Sequence, residues 1–323
     1  MKYQCKICYS TQEHQLVFAR EMMFGFRDEF LYFKCSDCGC LQIAEIPKDL
    51  SKYYPKNYVS YQQIQVGRFR KMIEYFLVKV YTYTNGLTIL RYLPHLRVLK
   101  VSTLLRILKG FNFNKKIPIL DVGCGIGSFL LQIKNWGYSN LTGIDPFIDK
   151  DILYPSGVKI LKQTINECNG RYDLIMLHHS FEHMSDPHTV FKNLYRLLNN
   201  FGSILLRIPV SDSFAFRKYQ NNWYQLDAPR HFFLHTTKSI NYLAQNNGFY
   251  LEDIIYDSDE YQILCSEDYC RDITFIPFID QKRIKNTLSR IKKLKKVAKY
   301  LNDIKDGDQC IFVLSKQKDI NIQ

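Results

Sequence analysis

The stretch Ile119-Leu120-Asp121-Val122-Gly123-Cys124-Gly125-Ile126-Gly127-Ser128-Phe129-Leu130 decides the fold of this chain. It starts as an apolar run typical of a buried strand, breaks at three glycines, and continues as a helix. Because Gly123, Gly125 and Gly127 occupy alternate positions, the backbone can pass close under a ligand. The N–H groups at the start of the helix then point at that ligand. The stretch therefore predicts a strand, a glycine turn and a helix, with a ligand at the strand end.

Two carboxylates indicate which ligand this is. A second apolar strand ends at Asp145, eighteen residues after Gly127, where a carboxylate can accept both ribose hydroxyls of a nucleoside. Asp121 precedes the glycines, where it would repel a pyrophosphate but can help to bind the ammonium group of a methionine moiety. A dinucleotide pattern would place its last glycine at Ser128 rather than at Gly127. We therefore predict S-adenosylmethionine, ahead of NAD or a structural turn without a ligand.

Residues 114–260 resemble class I S-adenosylmethionine-dependent methyltransferases, specifically their broad bacterial type 11/23-like group. The resemblance rests on the glycine motif and on three later segments, which are Tyr172–Ile175, Phe181–Pro187 and Trp223–Phe233. Members of this group often act in bacterial surface-polysaccharide and modified-sugar pathways, and several carry an N-terminal zinc module. The resemblance implies an α/β, Rossmann-like sheet that is mostly parallel with its last strand antiparallel.

The apolar pattern after residue 117 predicts the same architecture. Short apolar runs alternate with helical patterns, which favours a parallel sheet with helices on both faces. We predict strands near 117–122, 141–145, 157–161, 172–178, 202–208, 249–256 and 309–314. We divide the chain into a zinc ribbon (1–60), a basic helical connector (61–113) and a methyltransferase domain (114–323) with a basic helical insertion near 280–305.

Cysteine spacing predicts a metal site at the N-terminus. Cys5 and Cys8 form one C-x2-C pair, and Cys35 and Cys38 form another. The sequence has no apolar segment of the ~18 residues that a membrane helix needs and no signal-peptide core, so we expect a cytoplasmic protein with reduced cysteines. Four thiolates at this spacing can close a tetrahedral structural zinc site.

The net charge of +13 is concentrated in two segments. Residues 66–110 contain nine lysines and arginines against one acid, and residues 281–305 contain ten against one. Nucleic acid, an anionic membrane surface or a phosphorylated substrate could each use such a field. The simpler interpretation is a solvated face, because apolar residues at helical spacing in the second segment would turn its lysines outward.

The segment His178–His183 contains the pattern His179-x2-Glu182-His183, which matches an inverted zinc-peptidase motif. That motif works on a helix, whereas this segment lies between a predicted strand and a predicted helix. We expect it to line the cleft beyond the strand ends, where open parallel sheets bind ligands. We assign His178 to the cofactor side, packed rather than catalytic, and His179 as a possible base. The alternative for Glu182 and His183 is that they only order the loop.

Arg230 and His231 are the first candidates for acceptor chemistry. They lie in the aromatic-rich loop Trp223–Phe233, where such folds commonly build the acceptor wall. By resemblance to sugar C-methyltransferases that carry a zinc module, His231 is predicted to be the general base. Arg230 stands where those enzymes have glutamate, which leaves C-methylation open, and it could hold an acceptor phosphate or carboxylate through two hydrogen bonds. A structural role for His231 is the alternative.

These features together predict methyl transfer from S-adenosylmethionine to a saccharide or other small polar acceptor, in surface-glycan biosynthesis. An RNA methyltransferase that holds nucleic acid with its zinc ribbon and basic segments is the alternative. The loop after the fourth predicted strand lacks the N/D-P-P-aromatic sequence of enzymes that methylate base amino groups. A non-enzymatic interaction module is disfavoured because Asp121 and Asp145 are both present.

Overall fold

The computed structural model describes residues 3–55, 68–84, 102–275 and 281–317. In chain order the elements are β1 (Gln15–Arg20), β2 (Glu29–Lys34), β3 (Leu41–Ile43), α1 (Arg68–Tyr83), α2 (Ser102–Gly110), β4 (Ile119–Val122), α3 (Ser128–Asn135), β5 (Leu141–Ile144), β6 (Ile152–Leu153), β7 (Lys159–Leu161), β8 (Tyr172–His178), α4 (Pro187–Leu197), β9 (Leu198–Pro209), α5 (Phe214–Tyr219), β10 (Phe233–Leu234), α6 (Thr237–Asn246), β11 (Phe249–Tyr256), α7 (Tyr261–Cys270), α8 (Gln281–Asp303) and β12 (Gln309–Lys316). The predicted strands all occur, within a few residues of their expected bounds.

The central sheet has eight strands in the order β11-β12-β9-β8-β4-β5-β7-β6. Strands β9, β8, β4, β5 and β7 pair in parallel, and the last strand, β12, is antiparallel to both β9 and β11. This confirms the mostly parallel, Rossmann-like sheet. The short edge strand β6, antiparallel to β7, was not predicted. Because β4, β5 and β8 are neighbours, the loops that follow their carboxyl ends meet at one edge, where such sheets bind ligands.

Helix α4 illustrates how the sequence covers a face of this sheet. Asp186 caps the helix by accepting a hydrogen bond from Thr189 N at 3.0 Å, and Pro187 occupies the first turn. An Asp cap and a proline at the first helical position are both typical of helix starts. The buried residues of α4 include Val190 and Phe191, which lie in the apolar core on one side of the sheet. The helix therefore begins at Pro187 and packs its apolar face on the sheet.

The N-terminal module is not completed by its own residues. Strands β1, β2 and β3 form an antiparallel sheet whose fourth strand is β10, from the segment just after His231. In this pairing Leu41 lies opposite Leu234, and Gln42 lies opposite Phe233. The module is thus joined by backbone hydrogen bonds to the loop that carries the predicted acceptor residues.

The two basic segments are helical where the structure describes them. Helices α1 and α2 lie in the predicted connector, of which 61–67 and 85–101 fall outside the described residues. Helix α8 lies between β11 and β12, as expected, whereas α7 was not predicted. In α8, Ala298 and Leu301 are buried, and Lys292, Lys293 and Lys296 face solvent. Within the described ranges, no helix combines the length and apolar character needed to cross a membrane.

Candidate active site

The glycine turn between β4 and α3 has the geometry that the sequence predicted. Gly123 and Gly127 have φ angles of +72° and +77°, and Gly127 caps α3 in the left-handed conformation. An added Cβ at Gly123 would lie 2.4 Å from Cβ of Ser180, and one at Gly127 would lie 2.4 Å from Cδ1 of Ile160. Side chains are therefore excluded both by conformation and by space.

Asp145 ties this turn to the loop after β5. One of its carboxylate oxygens accepts a hydrogen bond from Gly125 N at 2.8 Å, and the other accepts one from Phe147 N at 2.9 Å. Each carboxylate oxygen has a further lone pair, so both remain able to accept from a ribose hydroxyl. The residue thus shapes the turn in addition to its predicted contact with the nucleoside.

Asp121 lies in β4 and is buried. Burial, reinforced by the charge of Asp145, raises the pKa of Asp121 to about 8. A buried carboxyl with no cation beside it favours the neutral form, and an ammonium group placed next to it would favour ionisation. This environment suits the predicted contact with the methionine ammonium, which stays a proposal.

His178 lies at the end of β8 and packs against α3. Its ring meets that of Phe129 edge to face, with centroids 4.7 Å apart. Burial lowers the pKa of His178 to about 3, so the imidazole is neutral. The residue is packed, as expected, and its contact with the cofactor stays a prediction.

His179 is not placed as a base, which corrects the prediction made for it. Arg207 Nη1 donates to His179 Nε2 at 2.7 Å, while Arg207 Nε donates to Asp257 at 2.7 Å. A guanidinium can only donate, so Nε2 is the acceptor and the ring proton lies on Nδ1. That atom is 3.4 Å from Glu182 Oε1. His179 is therefore a positioning residue for Glu182.

The structure brings together three side chains that we call the His–Glu cluster, namely Glu182, His183 and His231. Their possible ligand atoms all lie within 4.8 Å of one another. His183 Nδ1 donates to the carbonyl of Arg230 and His231 Nδ1 to that of Gln225, each at 2.7 Å. Because a carbonyl only accepts, Nδ1 carries the proton of each imidazole, and in the neutral form the lone pair lies on Nε2. The two rings meet edge to face with centroids 4.8 Å apart.

Glu182 is the charged centre of the cluster. Its side chain is fully buried, and among the described residues neither carboxylate oxygen has a hydrogen-bond partner. His231 Nε2 lies 3.9 Å from Oε1, beyond an ordinary hydrogen bond. Burial opposes ionisation, but the polar contact with His179 and, when they are protonated, the charges of His183 and His231 lower the pKa of Glu182 to about 2. The cluster thus contains a buried carboxylate whose close ionisable neighbours are imidazoles.

Arg230 is used inside the fold, which corrects its prediction as an acceptor clamp. The side chain is fully buried and donates to both oxygens of Asp227, at 2.9 and 2.6 Å. It also donates to Glu21 at 3.0 Å and to the carbonyl of Tyr53 at 3.2 Å, both in the N-terminal module. Although burial opposes it, the charge of Arg230 lowers the pKa of Asp227. Arg230 therefore joins the module to the loop that holds His231.

The aromatic residues of the Trp223–Phe233 loop also differ from expectation. Trp223 is buried, and its Nε1 donates to Asp308 at 2.9 Å, while Phe232 and Phe233 are buried as well. These side chains are core rather than an open acceptor wall. They hold the loop in place, and His231 is the loop residue that contributes to the cluster.

Tyr54 is a candidate site residue that the sequence reasoning missed. Its hydroxyl lies 3.3 Å from His183 Nδ1, and its ring stacks on that of Phe147, with centroids 6.5 Å apart. Phe147 follows Asp145 by two residues, so Tyr54 spans from the predicted nucleoside side to the His–Glu cluster. The only signal was the aromatic turn Tyr53-Tyr54-Pro55 at the end of the predicted ribbon.

The four predicted zinc ligands converge in the N-terminal module. Cys5 Sγ lies 3.6 Å from Cys38 Sγ, and Cys8 Sγ lies 3.5 Å from Cys35 Sγ. All four sulfur atoms lie within 4.8 Å of one another. Thiolates bound to zinc at ~2.3 Å in a tetrahedron are about 3.8 Å apart, which these distances approach. All ten cysteines of the chain are free of disulfide bonds.

Comparison with known proteins assigns the chain to a family. The family described as a methyltransferase domain matches residues 92–254, which is half of the chain, and the chain belongs to this family. A malonyl-[acyl-carrier protein] O-methyltransferase of Priestia megaterium is 29% identical over 104 residues, covering 29% of this chain and 37% of that protein. The chain therefore spans little more than a third of that relative.

Two solved structures are similar at low identity. One is an O-methyltransferase from a trans-AT polyketide synthase multienzyme of Brevibacillus brevis, in complex with S-adenosyl-L-homocysteine. It is 16% identical, with a TM-score of 0.43, and the match covers 75% of this chain and 80% of that one. The other is a cyclopropane synthase of Mycobacterium tuberculosis, which is 17% identical, with a TM-score of 0.41 and coverage of 68% and 85%. The family and the sheet together define a class I S-adenosylmethionine-dependent methyltransferase.

Proposed function

We propose that this enzyme transfers a methyl group from S-adenosylmethionine to a hydroxyl oxygen of a small polar acceptor. A saccharide, possibly nucleotide-linked and destined for a surface glycan, is the acceptor class that the sequence resemblance favours. The observation that carries the proposal is the His–Glu cluster at the edge of the sheet where the cofactor binds. Ser180 Oγ donates to the carbonyl of Val122 at 2.7 Å, which holds the loop of the cluster against the end of β4.

A hydroxyl acceptor needs what the cluster offers. In the transfer, the acceptor oxygen forms a bond to the methyl carbon, the carbon–sulfur bond breaks with its electrons going to sulfur, and the hydroxyl proton must leave. In the metal-free protein, Nε2 of His231 is a basic atom that can take this proton, and its Nδ1–H is held by the carbonyl of Gln225. A positioned base of this kind contributes about 10²–10⁴-fold to a rate.

The first experiment measures transfer from radiolabelled S-adenosylmethionine to sugar nucleotides, small hydroxy acids and ribosomal RNA fragments. We expect product with a small hydroxylated acceptor and a fall in turnover of about 10²–10⁴-fold in His231→Ala, with cofactor affinity nearly unchanged. His188→Ala is the matched control, because this imidazole donates to the carbonyl of Ile7 outside the cluster. Full turnover in His231→Ala on the true acceptor would remove the cluster from the mechanism.

RNA methylation is the second candidate, and the solvent-facing lysines of α8 favour it. Lys292, Lys293 and Lys296 are exposed on the helix, so their charge is available to a phosphate backbone. Labelled RNA in the same assay, with binding that falls steeply as salt rises, would support this candidate over the first. Binding to anionic vesicles without RNA modification would instead assign the lysines to a membrane surface.

We also propose that Cys5, Cys8, Cys35 and Cys38 hold one structural zinc ion. The sulfur distances support it, and Gln42 Nε2 donates to Cys5 Sγ at 2.9 Å, as expected for a hydrogen-bonded thiolate ligand. Elemental analysis should find zinc in the wild-type protein and lose one equivalent in Cys35→Ser, whereas Cys270→Ser should keep it. Zinc that survives Cys35→Ser would refute the assignment. Such a site also fits the reducing cytoplasm that we propose for this protein.

A further inference from the structure

The imidazoles of the His–Glu cluster are held in the orientation that metal-binding histidines need. His183 Nδ1 and His231 Nδ1 each donate to a backbone carbonyl at 2.7 Å. A hydrogen bond of this type fixes the tautomer and leaves Nε2 as the donor atom for a metal. Two histidines from separate loops therefore bring a ring nitrogen each within 4.8 Å of the other and of a Glu182 oxygen.

Glu182 supplies the charge that such a site requires. Both of its oxygens are buried without a hydrogen-bond partner in the described part of the chain. A buried carboxylate is costly unless it is paired or coordinates a metal. His179 Nδ1 lies 3.4 Å from Oε1 and can orient the carboxylate as an outer-shell partner.

The spacing of the three groups is close to that of a coordination sphere. Their ligand atoms lie within 4.8 Å of one another, and His231 Nε2 is 3.9 Å from Glu182 Oε1. Ligand atoms bound tetrahedrally at ~2.0–2.2 Å are about 3.4 Å apart. Small side-chain rotations would close this difference.

We infer that Glu182, His183 and His231 bind a first-row divalent cation such as Mn²⁺, Fe²⁺, Co²⁺ or Zn²⁺. The nitrogen and oxygen donors distinguish this site from the sulfur site of the N-terminal module, because soft thiolates and harder imidazoles or carboxylates select different metals. Three protein ligands leave at least one position open, as in catalytic rather than structural metal sites.

The inference deepens the proposed function and rests on it for its biological role. A hydroxyl bound at the open position would lose its proton to solvent more readily. The bound cation would use the Nε2 lone pair of His231, so His231 would act as a ligand in that state rather than as a base. Cation binding itself is measured without any acceptor.

The test titrates Mn²⁺ into protein that holds one equivalent of zinc per chain, enough for the cysteine site alone, and follows free Mn²⁺ by electron paramagnetic resonance. Mn²⁺ favours oxygen and nitrogen ligands over thiolates. We expect one Mn²⁺ per wild-type chain, an affinity at least about 100-fold weaker in Glu182→Gln and in His231→Gln, and unchanged binding in His188→Ala. Glu182→Gln preserves the shape of the buried side chain, and circular dichroism checks each variant for folding.

Three outcomes would overturn the inference. These are no Mn²⁺ binding to the wild-type protein up to millimolar concentration, equal binding by folded Glu182→Gln and His231→Gln, or loss of binding in Cys35→Ser with retention in Glu182→Gln. The first and second do not depend on the acceptor. Methyl transfer by protein that binds no Mn²⁺ would keep the proposed function and refute the cation site. Cation binding without transfer to any small hydroxylated acceptor would keep the cation site and refute the proposed function.

Discussion

Replacing Arg230 should change the stability of this enzyme rather than its affinity for an acceptor. The guanidinium is fully buried and donates to the carboxylates of Asp227 and Glu21 and to the carbonyl of Tyr53. The Glu21 side chain is itself fully buried. Arg230→Ala would therefore leave two carboxylates in the interior without their cation.

The expected magnitude follows from these contacts. Removing one partner of a buried ion pair costs about 3–5 kcal/mol, because the remaining charge is uncompensated. Glu21 keeps hydrogen bonds from Phe24 N and Phe26 N, both at 2.9 Å, so we expect the lower part of that range. Arg230→Lys retains the charge but loses the two-pronged contact with Asp227, so we expect a loss of about 1.5–3 kcal/mol, the value of a charged hydrogen bond.

Urea unfolding followed by tryptophan fluorescence measures the free energy of unfolding. Arg217→Ala is the matched control, because Arg217 pairs with Asp306 at the surface, with 58% of its side chain exposed. Such a pair contributes only about 0–1 kcal/mol. Unchanged stability in Arg230→Ala, together with weaker acceptor binding and normal cofactor binding, would refute this reasoning and restore Arg230 as an acceptor clamp.

Three further predictions concern the cofactor site. Asp145→Ala should weaken S-adenosylmethionine binding, measured by calorimetry, by about 1.5–3 kcal/mol, which is tenfold or more. Asp149→Ala, at an exposed position, is the control and should leave the affinity unchanged. Equal affinities in the wild-type protein and Asp145→Ala would remove Asp145 from the site. The pKa of Asp121 is raised from 3.8 to about 8. The protonated carboxyl therefore stabilises the ligand-free protein fully below pH 3.8, and this stabilisation is lost as the pH rises through 8. If the cofactor ammonium binds the ionised carboxylate, affinity should increase between pH 6 and 8, and Asp121→Asn should abolish that increase. Gly127→Ala should lower the free energy of unfolding by about 1–3 kcal/mol, because of its left-handed φ and the Cβ clash with Ile160; an unchanged urea midpoint would contradict it.

The parts of the site that follow from local spacing were predictable. The glycine turn and the position of Asp145 depend on a strand, a turn and a helix that are adjacent in the chain, and their apolar periodicity is visible in the sequence. The same holds for Cys5 and Cys8, whose short spacing already suits one tetrahedral metal. Their convergence with the second cysteine pair required only that β1 and β2 form a hairpin.

The roles of Arg230 and His179 could not be predicted, because their partners are distant in sequence. Arg230 contacts Glu21, 209 residues away, and His179 accepts from Arg207, 28 residues away. An arginine beside a histidine in a loop has the same local sequence whether it faces an acceptor or a buried acid. Only the packing of the N-terminal module against this loop distinguishes the two, since it removes the guanidinium from solvent.

The sequence by itself determined the catalyst class, because strand periodicity, glycine conformation and carboxylate placement are properties of short segments. The tertiary structure alone decided which groups act together. It placed His231 beside Glu182 and His183, and Tyr54 beside His183, 129 residues away. Phe232 N donates to the carbonyl of Glu182 at 2.8 Å, which ties this loop to the segment after β8, and β10, which follows the loop, completes the N-terminal sheet. Hydrogen-bond pairing between distant strands leaves no periodic signature in either partner, so the cluster becomes visible only in the folded protein.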